Sequence, residues 1–309
     1  MAATPDPTPW IRFLDHIRAT TQTYNIDDPE GPTPIGPCIF LRLARQMKDY
    51  LLTRDMRNAS YLALWMNNSY DLDFVPTDDN LDALEDRGRS RWFAGLLELI
   101  LDTAHHMHCD DEAQDFLVVT IVELRKLRPI PVVLQLSHCQ LWSGGPAVAY
   151  FVCWTMSHRG KIYPYDSNDR RYNPDFKASG YRRWVNTCAF HGRLIGAGLF
   201  QSFEQPRCHP LEREIPEALS AGQSQSPSRN SRSLGAIQYF RFAGAVLYQD
   251  FVVNSTWIQN QRWRSPDWRA WITRLEELSM DNREPKDIGD AAEDALNRLM
   301  AHGLLPAER

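Results

Sequence analysis

The chain has 309 residues, long enough for one large domain or two closely packed ones, and for a core that needs no disulfide. Hydrophobic residues make up 43% and charged residues 24%, the usage of an ordinary globular protein. The net charge of −5 is spread without long like-sign blocks, which argues against nucleic acid as a main partner, and no apolar run reaches the length of a membrane span.

The first residues show no basic segment leading into an apolar one, so no secretory signal is expected. A cytoplasmic location follows as the expectation, with the nucleus left open. Cys38, Cys109, Cys139, Cys153, Cys188 and Cys208 should then be reduced, and none of them forms a C-x-x-C pair. Thr8 before Pro9 reads as a helix start, and a helix should run from Pro9 to Thr21. A proline-rich connection follows. Residues Cys38 to Leu52 carry a second helical pattern, and Asn58 to Asn67 a third, with Tyr61, Leu62 and Trp65 on one side. Asp71 to Arg87 is polar and reads as a loop with a short helix.

Trp92, Phe93, Leu96, Leu97, Ile100 and Leu101 form an amphipathic stripe, and Leu117, Ile121, Leu124 and Leu127 form another. Pro129 should end that second helix. The segment Ile130 to Leu136 is apolar and β-branched, but no partner strand is visible. It therefore reads as an extended connector or a buried helix. Helices should follow from Pro146 and from Tyr181 to about Leu199, with Gly160 to Gly180 as loop. Residues 221–233 are Ser- and Gln-rich and read as a disordered loop, with Ser233 capping an all-round apolar, central helix through Phe251. Trp268, Trp271, Ile272, Leu275 and Leu278 share one face of the next helix, and Ser265, Pro266 and Asp267 mark its start. The last helix carries Ile288, Ala291, Ala292, Ala295, Leu296, Leu299 and Met300, with Gly303 at its C-terminal cap.

The expectation is an all-α protein, a compact multi-helix array of about nine to eleven helices with no substantial sheet. Residues 1–129 and 130–309 form its two helical parts around one continuous core.

Chemistry is harder to read. The segment from His105 to Glu112 is HHMHCDDE, and its imidazole, thiolate and carboxylate groups, with His105, His108 and Cys109 as the first candidates, could together hold a transition metal. Helix-terminus complementation explains the same residues: histidines where one helix ends, acids where the next begins. No distant fourth ligand is identifiable, which favours the second account. The aromatic and basic stretch from Lys161 to Trp184 is the first candidate for a ligand, through Tyr165, Arg170, Arg171, Tyr172 and Trp184. Acidic neighbours dilute its charge, and tyrosines lying on the protein body account for it equally. Trp257 and Trp263, in a polar segment, are the interface candidates. Gly192, Gly196 and Gly198 fit no phosphate loop and read as close helix packing. No G-x-S-x-G elbow, H-E-x-x-H motif or cofactor fingerprint occurs, so no catalytic residue and no cofactor is assigned.

Three stretches carry a resemblance. CQLWSGGPAVAYFVCWTM enters a helix through a Trp-then-Pro turn. YRRWVNTCAFHGRLIGAG places Trp184, Asn186, Ala189, Phe190, Arg193 and Leu194 in a W-x-N-x-x-A-F-x-x-R-L pattern. The third stretch runs from Trp268 to Met300. Together they span Gln140 to Met300 and resemble an all-helical family of uncharacterised fungal (ascomycete) proteins with a domain of unknown function. The resemblance implies an all-α fold and a fungal origin, and carries over no catalytic residue.

The leading functional expectation is a non-catalytic intracellular helical protein that acts through contacts with a protein partner. The alternative is a small-molecule-binding accessory protein or enzyme of fungal specialised metabolism. A metal-dependent enzyme using His105 and His108 is the third.

Overall fold

The computed structural model describes residues 9–21, 37–73, 96, 99–127, 130–134, 137–141, 174–199, 215, 216, 218, 219, 227–253 and 268–305. The chain divides into two compact units, Met1–Phe151 and Val152–Arg309. The described elements are helical except for one two-stranded hairpin, as the all-α expectation requires.

In unit 1, α1 (Pro9–Thr21) packs on α2 (Pro37–Thr53), α3 (Ala59–Asp73) follows a short 3-10 turn, α4 covers residues 99–106, and α5 is Ala113–Lys126. Trp10 and Leu14 of α1 are buried one turn apart. Leu43, Met47, Tyr50 and Leu51 form the buried stripe of α2. The α2–α3 connection reverses through Arg54, at φ 50°. Asp55 then caps the 3-10 turn, its carboxylate accepting the Arg57 N–H at 3.0 Å. Tyr50 donates its hydroxyl to the carbonyl of Phe116 at 3.2 Å and meets that ring edge-on, tying α2 to α5.

Two expectations for this unit need correction. Tyr61 does not share the buried side of α3. Ala59, Leu62, Ala63 and Met66 are buried, and Tyr61 points outward. Of the segment Ile130 to Leu136, the described residues 130–134 are neither a lone connector nor a helix. Its β1 (Ile130–Leu134) pairs antiparallel with β2 (Ser137–Leu141), in the register Val132 opposite Cys139. The partner strand SHCQL alternates only through Cys139 and Leu141 and holds no β-branched or aromatic residue, too weak a pattern to announce a strand.

In unit 2, α6 (Pro174–Gly196) packs on α7 (Pro227–Tyr248), which continues into a π turn, Gln249–Val253. Helix α8 (Trp268–Met280) packs on α9 (Lys286–Ala301), and α9 on α7. The core joins Ile237, Tyr239, Phe240 and Leu247 of α7 to Trp268, Trp271, Ile272, Leu275 and Leu278 of α8, and to Ile288, Ala292, Ala295 and Leu299 of α9. Phe240 packs against both indoles, with ring centroids 5.7 Å and 5.9 Å away, and the indoles lie 6.5 Å from each other, spacings at which aromatic edges and faces attract. Trp268 also donates its indole N–H to the carbonyl of Leu304 at 3.4 Å. The tryptophan stripe read from sequence is therefore core.

Helix α9 ends as expected at Gly303, at φ 66°. The Leu304 N–H reaches the Leu299 carbonyl at 3.0 Å and the Gly303 N–H reaches that of Met300 at 2.9 Å, so two carbonyls left over by the helix are satisfied. Helix α6 closes the same way through Gly198, at φ 70°. Gly198 is thus a cap, with nothing nearby that a Cβ would meet, while Gly192 and Gly196 face α7 as close-packing residues.

Two loop expectations also fail. Residues 174–180, read as loop, open α6. Residues 227–233, read as disordered, form the first turns of α7, with Arg229, Ser231 and Ser233 buried; residues 221–226 lie outside the described residues. Ser233 donates to the carbonyl of Ala218 at 3.3 Å from within the helix, so it is not the cap. Pro227 at the helix start is the better signal. The packing partner, Glu284, lies 55 residues away: Arg229 donates to its carboxylate at 3.0 Å, with both side chains nearly covered.

Arg241 and Arg298 both bind the Asp294 carboxylate, at 2.7 and 3.0 Å, joining α7 to α9. Burial pushes the Asp294 carboxyl up, but the bond from Arg241 and the charges of both arginines outweigh it, and the net pKa is lowered. A depressed folded-state pKa contributes stability above the unfolded value, about 3.9, and that contribution is lost as pH falls through the folded value. Denaturant titrations of wild type and Asp294→Asn should therefore differ by a constant amount from neutral pH down to about pH 4. The difference should shrink below that. A difference independent of pH down to the acid limit would remove this account.

Candidate functional site

Two places gather polar chemistry. The first is the α4–α5 turn of unit 1. Met107 is fully buried and anchors it. Gln114, buried in the first turn of α5, turns its amide back onto the carbonyls of Ala104, Met107 and His108 at 3.3–3.4 Å. Those carbonyls lie at and just past the end of α4, where the regular helical ladder stops. Asp111 accepts the Ala113 N–H at 2.9 Å and so serves the start of α5. The acid-after-histidine order thus does complement a helix terminus at this position.

On this fixed backbone the His108 and Asp110 side chains are exposed, and Cys109, between them in sequence, is partly buried. The ligand-capable atoms of His108, Cys109 and Asp110 all lie within 4.8 Å of one another. Nδ1 of His108 is 3.8 Å from Cys109 Sγ and 3.6 Å from Asp110 Oδ2. It also accepts the Asp110 N–H at 3.3 Å, so it carries a lone pair. His105 stands outside this set. It is buried, with Nδ1 3.6 Å from the carboxylate of Asp102. His106 bonds the Asp102 carbonyl at 2.7 Å and stacks on Phe13.

The second place is the seam between α6 and α7 in unit 2. Every residue from Val185 to Ile195 is buried, so this stretch has no polar face. It nevertheless carries Asn186, Thr187, His191 and Arg193. His191 Nδ1 shares a hydrogen bond with the Tyr239 hydroxyl at 3.1 Å, and the two rings meet edge to face. The guanidinium of Arg193 lies 3.6 Å over the Phe242 ring, with those of Arg241 and Arg298 5.1 and 5.2 Å from it. A cation over an aromatic face is attracted more strongly where water is excluded. The His191–Tyr239 and Arg193–Phe242 contacts fasten α6 to α7, and Arg298 reaches the same ring from α9.

The other sequence candidates are placed as follows. Trp184 lies on α6, half-buried against the core of unit 2; its indole nitrogen would stand 2.9 Å from a Cβ built on Gly235. Tyr165, Arg170, Arg171, Tyr172, Trp257 and Trp263 lie outside the described residues. Sequence reasoning passed over Gln114 and the His191–Tyr239 pair, which had no local signal because each depends on a partner from another helix. The combination of imidazole, thiolate and carboxylate in this segment was legible, since adjacency alone brings Asp110 near His108 and Cys109.

No curated protein matches this chain. Residues 97–277 match the family described as "Protein of unknown function (DUF3632)", a span reaching from α4 to α8. That span exceeds half of the sequence, and the chain belongs to the DUF3632 family.

Proposed function

We propose that this protein is a non-catalytic helical protein that acts through contacts with another protein. The observation carrying the proposal is the outward face of α3. Tyr61 is 68% exposed and Leu64, one turn on, is 46% exposed. Met56 and Leu52, just before them in the chain, are also exposed. Scattered apolar residues are normal on a surface, but an aromatic and an aliphatic on one helix face are the material of an interface anchor. The core tryptophans and the buried arginine pairs support the same reading, since each is occupied in packing.

The test is capture from the native host with wild type and with Tyr61→Asp/Leu64→Asp. Wild type should retain a stoichiometric partner, and the double variant should lose it at an unchanged melting temperature. Because both side chains are exposed, the substitutions should leave folding intact. Failure to recover a partner, or equal recovery by the variant, rejects the proposal.

A second reading, a small-molecule-binding accessory protein or enzyme, draws on Asn186, His191 and Arg193 in a helix with no exposed face between residues 185 and 195. Buried polar groups that converge are what a ligand pocket uses for orientation. His191→Phe separates the two: a purely structural His191 leaves metabolite output of the host unchanged when folding is retained.

A further inference from the structure

We infer that His108, Cys109 and Asp110 form a surface site for a thiophilic divalent ion of the zinc class. This goes beyond the protein-contact reading and does not depend on it. The donor set is an imidazole, a thiolate and a carboxylate, the combination that selects zinc-like ions over magnesium or calcium. Tetrahedral zinc with bonds of about 2.0–2.3 Å holds its ligand atoms roughly 3.3–3.8 Å apart. The Nδ1···Sγ and Nδ1···Oδ2 separations, 3.8 and 3.6 Å, already have that size. The remaining Sγ-to-carboxylate edge lies within 4.8 Å, and rotation of the exposed Asp110 side chain closes it.

Two features of the turn favour a cation on these ligands. The backbone beneath them is pinned by Gln114 and by the Asp111 N–H on the His108 carbonyl at 2.9 Å, so little ordering remains to be done on binding. The charge also balances: thiolate and carboxylate neutralise the divalent ion. On binding, the ion takes the Nδ1 lone pair now shared with the Asp110 N–H, that N–H turns to water, and the Cys109 thiol releases its proton to solvent. Water fills the fourth position, as in an open zinc site. Affinity should therefore rise with pH as the thiol ionises. His105, the histidine that spacing suggested first, takes no part.

The experiment titrates reduced, metal-free, full-length protein with cobalt(II), then with zinc. One equivalent of cobalt should produce a thiolate-to-metal charge-transfer band that zinc abolishes. Cys109→Ser should remove the band. His108→Gln and Asp110→Asn should each weaken binding by about tenfold or more, as loss of a ligand does. Both of those residues are exposed, so they decide the matter even if the cysteine variant does not fold. No band in wild type, an undiminished band in Cys109→Ser, or unchanged affinity in both exposed variants overturns the inference.

Discussion

Gly196→Ala should destabilise unit 2 by about 3 kcal/mol, the upper range for forcing an extra methyl into a packed interface. The new Cβ would overlap the carbonyl oxygen of Phe242 on α7, which is backbone and cannot rotate away. The sign is the informative part. An unhindered glycine-to-alanine change within a helix stabilises by up to about 1 kcal/mol. A thermal melt should therefore fall, by roughly 6–12 °C for a unit of this size, rather than rise. Gly192→Ala should cost less. Its Cβ would stand 3.1 Å from the Gln238 carbonyl oxygen and 3.3 Å from the Phe242 Cβ, a squeeze of a few tenths of an ångström. A rise in melting temperature for Gly196→Ala would mean that α6 and α7 do not meet at Phe242.

Glu284→Gln should cost about 3 kcal/mol, as expected when one partner of a buried ion pair loses its charge. Glu284 accepts from Arg229 at 3.0 Å and lies 3.9 Å from a second guanidinium, that of Arg274. The Glu284 and Arg229 side chains are only 6% and 9% exposed, so water does little to replace the lost charge, and the two arginines then face each other. Asp281 gives the comparison. The Arg283 hydrogen bonds hold its carboxyl down to about 2, yet the pair stands in solvent, and Asp281→Asn should scarcely move stability. Chemical denaturation of the two variants measures the contrast. Equal behaviour of both would show that the Arg229–Glu284 pair contributes no more than a surface contact.

Legibility in the sequence followed the range of the interaction. Helix α1 begins and ends where its proline start and apolar spacing put it, α8 carries the buried stripe its periodicity announced, and α9 does so except at Met300, which is exposed, and Leu296, which is only partly buried. Gly303 was readable because a left-handed cap is a local demand on one residue. Identical reasoning failed at Gly198, where neighbouring glycines suggested packing and the residue instead closes α6. The hairpin was missed because its two strands are joined by Gln135 and Leu136, without the Asn-Gly or Asp-Gly turn that marks such a connection. Polar composition hid the start of α7, since Arg229 and Ser233 look solvated until Glu284 and Ala218 are brought to them. The turn at His105–Glu112 was recognised as chemically unusual, but helical spacing paired His105 with His108, whereas the folded turn groups His108 with Cys109 and Asp110.

The sequence by itself determined the helical class, the indole-bearing core face of α8 and the Gly303 cap, because period, size and backbone freedom are properties of neighbouring residues. Tertiary structure alone decided which polar side chains are buried and with whom: Gln114 under the α4 terminus, His191 against Tyr239, Arg229 against Glu284. Such pairings join residues ten to more than fifty positions apart, and what decides them is the loss of water around a charge or dipole, which no local pattern records.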